Sequence, residues 1–419
     1  MNVLFLHDAF PAQFGRLALE LTKRHNWNCT FLIQSLSSCP TPTVEMLQSL
    51  AIIQVPAIEE EQPNEGTPWP KIYGKYLEQC RNLYDVLRSR PELKPDLIVA
   101  HGGRGAPTPL LRDLVDCPIM VYCEYFFATS HSDISYRIDL PPAEPAPFFP
   151  RCINAPALLG LVDADAGYSA THWQKQTFPK RFHPKIEVAF DGIDTEMYKP
   201  GPAPRRIGDR TISRNTKIVT YVARGLESIR GFDLFMKVAD RIARERPDVL
   251  FVVVGGDEIH YGWDKLHTGA PSFKQWVFDR GDYDLSRFLF LGRILPEQLA
   301  DILRISDLHI YLTAPFVLSW SLFNAMASGC VVLGSVGPVR EAIEPGVNGL
   351  VEPLFDLDRL TDAALSVLND PGTYAPLAQA ARETIEERYS LETCIPILKE
   401  MFERVQARGP ISSPWSVRT

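Results

Sequence analysis

Short apolar runs alternate with longer amphipathic stretches along almost the whole chain. In the first half, NVLFLH (2–7), CTFLI (29–33), AIIQV (51–55), DLIVAH (96–101), IMVYC (119–123), AGYSA (166–170) and KIEVAF (185–190) read as strands. Between them RLALELTKRH (16–25) and YGKYLEQCRNLYDVLRSR (73–90) carry apolar residues at helical spacing. The second half repeats the rhythm, with strands at KIVTYVA (217–223), VLFVVVG (249–255), FLFLG (288–292), LHIYL (308–312) and CVVLG (330–334) and a helix at FDLFMKVADRIARER (232–246). Continuous Val/Ile/Leu strands separated by helices predict parallel sheets covered on both faces. Two such blocks predict an α/β chain of two Rossmann-like, doubly wound domains.

The expected boundaries are a first domain over 1–197, a linker over 198–216, a second domain over 217–390, and a helix and tail at 391–419. The linker, YKPGPAPRRIGDRTISRNT, is rich in Pro, Gly and Arg and has no periodicity. The last helix is able to pack on either domain or cross back to the first. The stretch at 126–151 is too long for an ordinary connection and reads as a lid or binding loop.

Composition narrows the function. The chain has 419 residues, 45% of them hydrophobic, and a net charge of -8. At roughly 100–200 residues per domain, that length fits two or three domains. The mild acidity and the lack of a basic tract argue against a nucleic-acid partner. The first fifteen residues have no basic n-region and only a short apolar run, unlike a signal peptide. No run has the length of a membrane span. The expected location is the cytoplasm, with at most peripheral contact with a membrane. The eight cysteines form no CxxC pair or metal-like spacing, so buried reduced thiols are expected.

Open parallel sheets bind ligands beyond the carboxyl ends of their strands. After KIVTYVA, Arg224 and Arg230 bracket a turn leading into a helix, where guanidinium forks and free peptide N–H groups favour a diphosphate. Solvated surface arginines are the plainer alternative. After LHIYL, the segment PFVLSWSLFNAMASG sets one amide, Asn324, in an oily helix that Ser319 is placed to cap. The amides near Val317, Leu318, Ser319 and Trp320 then lie open to an anion, and Asn324 is placed to hold sugar hydroxyls. Local back-bonding of Asn324, or a small buried water site facing it, is the alternative. VGGDEIHYG (254–262) brings Gly256 and Asp257 to a third strand end, as a nucleotide edge or as solvated punctuation. In the first half, His7, Gln13, Phe14 and Gly15 follow one strand, His101 and Arg104 another, and Glu124 a third. Their concurrence marks one polar end of a sheet, suited to an acceptor.

These segments resemble glycosyltransferase family 4. The resemblance rests on VAFDGIDTEMYKP (188–200), VTYVARGLESIRGFDLFM (219–236), FVVVGGD (251–257), FLGRI (290–294) and PFVLSWSLFNAMASGCVVLGSVGPVREAIEPGVNGLV (315–351), with SATHWQKQTFP (169–179) and PDLIVAHGGRGAP in the first half. It implies the GT-B fold, with two Rossmann-like domains facing a cleft. It also implies a hexosyl-type transferase that moves a sugar with retention from a nucleotide-diphosphate donor, such as a UDP- or GDP-sugar, needing no metal or cofactor. The acceptor is a glycan, a lipid or a small molecule.

On this resemblance Arg224 and Arg230 match the basic pair gripping the donor diphosphate. Ile294 matches the position whose main chain holds the base, and Val317–Trp320 match the loop beside the phosphates. The family signature of two glutamates with seven residues between them falls on Phe316 and Asn324, so both carboxylates are replaced. Glu124 stands where many relatives have a histidine, and it is the expected side chain assisting the acceptor. Two other readings stay open: a non-catalytic GT-B protein that binds a sugar nucleotide or glycan, and a sugar-nucleotide epimerase on the same fold.

Overall fold

The structure is a computed structural model that describes residues 1–36, 42–56, 69–102, 111–128, 133–141, 148–261 and 264–411. The chain divides into two compact units. The first is Met1–Thr129 with Glu144–Gly192 and Cys394–Thr419, and the second is Ile193–Thr393 with Ser130–Ala143.

The first unit is built on a seven-stranded sheet. Its strands are β1 (Asn2–Leu6), β2 (Asn28–Ile33), β3 (Ala51–Gln54), β4 (Leu97–His101), β5 (Ile119–Tyr122), β6 (Ala166–Ser169) and β7 (Ile186–Val188). They lie in the order β3-β2-β1-β4-β5-β6-β7, and every pairing is parallel. Residues such as Leu4, Leu6, Ile98, Ile119 and Val121 form its core. Helix α1 (Phe14–His25) follows β1 and buries Leu17, Ala18 and Leu21.

The second unit has a six-stranded sheet of β8 (Lys217–Gly225), β9 (Val249–Gly256), β10 (Phe288–Phe290), β11 (Leu308–Tyr311), β12 (Val332–Ser335) and β13 (Leu350–Glu352). The order is β10-β9-β8-β11-β12-β13, again parallel throughout. Both sheets therefore wind outward in two directions from a first strand. The reversal points lie between β1 and β4 and between β8 and β11, where such sheets open a crevice for ligands. Helices α2 (Phe232–Glu245) and α3 (Trp320–Ala327) follow β8 and β11.

Two stretches depart from the boundaries read in the sequence, and the last helix takes one of the courses read for it. Residues 198–216 are not a bare linker: Arg206–Ile207 and Arg210–Thr211 form an antiparallel hairpin. Ile207 and Ile212 from this stretch pack with Ile218, Leu250 and Val252. The long connection after Glu124 sends Asp133–Tyr136 and its continuation to the second unit. There Leu140 joins the main core, and Tyr136 stacks on Phe355 with centroids 5.6 Å apart. The last helix, α4 (Leu391–Arg408), begins in the second unit and continues into the first, where Phe402 meets Tyr168. Among the described residues no helix is long and apolar enough to cross a membrane.

Candidate active site

The sheet reversal point of the second unit lies between β8 and β11, and the residues that follow at their carboxyl ends are the candidates. Arg224 is exposed at the end of β8. Arg230 is only 7% exposed and sits in the 3₁₀ turn Ser228–Arg230, just before Gly231 at φ +66°. Its Nη1 donates to the Val317 carbonyl at 3.0 Å, to Thr313 Oγ1 at 3.2 Å and more distantly to Tyr311 Oη at 3.4 Å. The rings of Phe316 and Tyr261 lie 5.5 and 5.8 Å from its Cζ, within cation–π range. These hydrogen bonds go to neutral oxygens, so they satisfy donors without neutralising the charge. A buried guanidinium whose hydrogen bonds go to neutral oxygens is chemically suited to receive an anion.

The opening of α3 is wired to the same residue. The Ser319 N–H donates to Tyr311 Oη at 2.9 Å, and Ser319 Oγ caps the helix by accepting from the Ser321 N–H at 3.3 Å. The Ser319 amide is therefore occupied rather than open, a correction at that residue to the expectation of amides left for an anion near Val317–Trp320. Val317 and Phe316 are buried, whereas Leu318, Ser319 and Trp320 are half-buried. Asn324 is half-buried while its neighbours Ser321, Leu322, Phe323, Ala325, Met326 and Ala327 are buried. Its side chain makes no hydrogen bond with the described residues, so the local back-bonding alternative does not hold.

The turn after β9 is crowded. Gly225 lies so close to it that an added Cβ would stand 2.4 Å from the Glu258 carbonyl oxygen. Asp257 pairs with Lys274 at 2.6 Å, and Glu258 pairs with Arg293 at 3.0 Å. Gly256 is buried against the Glu258 carboxylate. Ile294 packs its side chain on the Ile207–Ile212 cluster, which leaves its main chain for any base contact.

One buried acid beside these residues escaped the sequence reading. Glu227, between the two arginines, is fully buried. Its Oε2 accepts from the His260 and Tyr261 N–H groups, each at 2.8 Å. Its Oε1 is sealed from solvent and has no partner among the described residues. Burial pushes this carboxyl up to about 7. Glu227 thus fixes the loop whose Tyr261 ring lies 5.0 Å from Phe316 and faces Arg230. An acid embedded in the apolar run Gly-Leu-Glu-Ser-Ile was the available signal. Next to it, the Ser228 N–H donates to Asp264 Oδ2 at 2.7 Å, and burial pushes the Asp264 carboxyl up to about 6.

The first unit gathers a second polar group at adjacent strand ends. His7 follows β1, His101 closes β4 and Glu124 follows β5. His101 Nε2 lies 3.3 Å from Glu124 Oε2, and the His7 and His101 rings meet edge-on at 4.9 Å. His7 Nδ1 lies 2.6 Å from Asp8 Oδ1. Glu124 is 28% exposed against 3% for His101, so the carboxylate is the accessible member. Phe14 is a core residue rather than an accessible contact: it is 1% exposed and packs on Phe5 and Tyr122, and His7 and His101 are buried as well. Gly15 is buried, with an added Cβ 2.2 Å from Pro11 Cβ, and Gln13 is half-buried. Arg104 lies outside the described residues. Among the described residues no group of three or more His, Cys, Asp or Glu side chains is placed to hold a metal ion.

Comparisons with known proteins agree with this architecture. Residues 54–198 match the "Glycosyl transferase family 4 group" model and residues 206–384 the "Glycosyl transferases group 1" model. The chain is 28% identical over 209 residues to D-inositol 3-phosphate glycosyltransferase of Kribbella flavida, covering 48% of this chain and 46% of that one. It spans about half the length of the curated relatives it matches. Among solved structures, sucrose-phosphate synthase from Thermosynechococcus elongatus superposes with a TM-score of 0.75 at 14% identity, covering 97% of this chain and 99% of the other. Anabaena Alr3699/HepE in complex with UDP-glucose superposes with a TM-score of 0.69 at 16% identity, covering 96% and 100%. These structures share the GT-B fold with this chain. With consecutive matches running through both units, the chain is a member of glycosyltransferase family 4.

Proposed function

We propose that the protein transfers a sugar, with retention and without a metal ion, from a nucleotide-diphosphate donor to an acceptor hydroxyl. One observation carries the reading: Arg230 is buried at a sheet reversal point, its hydrogen bonds among the described residues going to neutral oxygens, with Arg224 exposed on the same turn. The solved neighbour holding UDP-glucose supports a sugar nucleotide as the donor.

In the reaction the bond from the anomeric carbon to the phosphate oxygen breaks, and a bond to the acceptor oxygen forms on the same face. The leaving diphosphate gains negative charge as the sugar gains oxocarbenium character. Arg230, rigid between Phe316 and Tyr261, meets that charge without reorganising, and Arg224 adds a second cation. Preorganised charge of this kind is usually the largest catalytic term. The acceptor proton passes to the departing phosphate, and Glu124 beside His101 is the side chain assigned to assist it. Asn324 holds donor hydroxyls, and the main chain of Ile294 holds the base. The acceptor is a glycan, a lipid or a small molecule.

The replacement of both signature glutamates, at Phe316 and Asn324, favours one competing reading, in which the protein binds a sugar nucleotide without turning it over. Thermal unfolding with a panel of UDP- and GDP-sugars, followed by a transfer assay in EDTA, tests both. Stabilisation by one donor followed by transfer is the expected result. Stabilisation with no transfer or hydrolysis favours the binding protein, and no stabilisation by any nucleotide diphosphate rejects both.

A further inference from the structure

We propose that Arg137, contributed by the first half of the sequence, is a positioning residue for the donor diphosphate. It holds the Ser228 carbonyl and Asp233, and so fixes the turn that presents Arg230. The inference rests on the glycosyltransfer reading above.

Arg137 is 4% exposed. Its Nη1 donates to the Ser228 carbonyl at 2.7 Å and to Asp233 Oδ1 at 3.0 Å. Its Nη2 donates to Asp233 Oδ2 at 2.7 Å and Asp139 Oδ2 at 2.8 Å, and its Nε to Asp139 Oδ1 at 2.9 Å. Two carboxylates thus grip two edges of one planar fork, and a main-chain oxygen takes the remaining bond. Ser228 is held from its other side as well. Its N–H donates to Asp264 Oδ2 at 2.7 Å, and its hydroxyl donates to Asp264 Oδ1. Both peptide groups of Ser228 are therefore anchored, two residues before Arg230 and one turn before Asp233 in α2.

The segment bearing Arg137 is itself docked. Leu140 is in the core, and His267 Nε2 lies 2.6 Å from the Pro141 carbonyl oxygen. A buried ion pair is a poor device for stability alone, because apolar side chains of the same volume often do as well. What apolar packing cannot supply is a fixed bidentate fork with a directed bond to one carbonyl. That bond sets the turn between Arg224 and Arg230, and a misplacement of about 1 Å near reacting groups costs on the order of 10²-fold.

The test is calorimetric titration of the full chain with UDP, GDP, uridine and guanosine, for wild type, Arg137→Gln and Arg137→Lys. The nucleoside reports the base and ribose site, and the diphosphate adds the turn. The expected result is a rise of about tenfold or more in the diphosphate Kd with Arg137→Gln, and an intermediate rise with Arg137→Lys, while the nucleoside Kd stays within about twofold. If Arg137→Gln does not fold, Arg137→Lys decides, because lysine keeps the charge and loses the fork. Diphosphate and nucleoside affinities that change in parallel, or not at all, overturn the role of Arg137. Wild type that binds neither diphosphate overturns the donor reading itself.

Discussion

Arg230 Nη1 reaches the main-chain oxygen of Val317 at 3.0 Å, so one side chain ties the turn after β8 to the loop after β11. In the proposed function the charge that meets the phosphate and the bond that joins the two loops belong to the same guanidinium. Arg230→Ala is expected to lower kcat by about 10²–10³, the usual loss for one preorganised donor. Arg230→Lys keeps the charge but cannot reach Val317, Thr313 and Tyr311 from one fixed plane, so it should fall between. Arg224 is exposed and in the proposed function would add charge alone, so Arg224→Ala should cost less than Arg230→Ala. Steady-state kinetics with the true donor measure both; near wild-type rates in both alanine variants would reject the assignment.

This division of labour was only partly legible in the sequence. Strands such as VLFVVVG announce themselves because a buried parallel strand must be apolar on both faces. The arginines stood out as charges beside such strands. The hairpin at Arg206–Thr211 did not, because its two apolar anchors, Ile207 and Ile212, lie in a Pro- and Arg-rich stretch with no period to read. Arg137 and Asp233 lie 96 positions apart, and no local pattern joins them. Glu227 went unread, since its burial involves the loop at His260 and Tyr261, 33 and 34 positions away, whose N–H groups it accepts.

That loop makes the glycines unequal. A Cβ on Gly225 would meet the Glu258 carbonyl at 2.4 Å, a backbone atom that cannot step aside without moving the loop. A Cβ on Gly256 would meet Glu258 Oε2 at 2.1 Å, but that atom ends a flexible side chain. Gly225→Ala should therefore cost about 1–3 kcal/mol by overpacking and weaken donor binding, while Gly256→Ala stays nearer to wild type. Urea unfolding and donor titration of the two variants read the difference. A Gly225→Ala protein as stable and as tight-binding as Gly256→Ala would contradict the crowding.

Glu227 should leave a mark on stability against pH. The folded state holds its proton up to about 7, whereas the unfolded chain releases it near 4.5. Between those values the folded protein binds more protons, so stability falls as pH rises through the window and levels off above it. A shift of this size corresponds to up to about 3 kcal/mol. Asp264, raised from 3.8 to about 6, adds a slope of the same sign at lower pH. Wild type should lose stability between pH 5 and 7.5, and Glu227→Gln, with nothing to titrate, should lose less. Chemical denaturation across that range decides; equal slopes would mean that Glu227 is not the buried acid.

Asn324 stands where the family resemblance places a carboxylate, on a half-buried spot of an otherwise buried helix. A neutral amide bonds sugar hydroxyls about half as strongly as a carboxylate does. Because the position is partly exposed, Asn324→Glu does not bury an unpaired charge. It should tighten binding of the nucleotide sugar by about 1 kcal/mol, or roughly fivefold in Kd. Asn324→Ala, which removes both hydrogen-bonding ends, should weaken it by a similar amount. On the family resemblance those hydroxyls are the donor ribose's, so calorimetry with the nucleotide diphosphate and with pyrophosphate separates a hydroxyl contact from a phosphate contact, since only the former ligand carries the pentose. An Asn324→Glu variant that binds the donor less well than Asn324→Ala would show that the amide is no weakened glutamate but a feature this site requires.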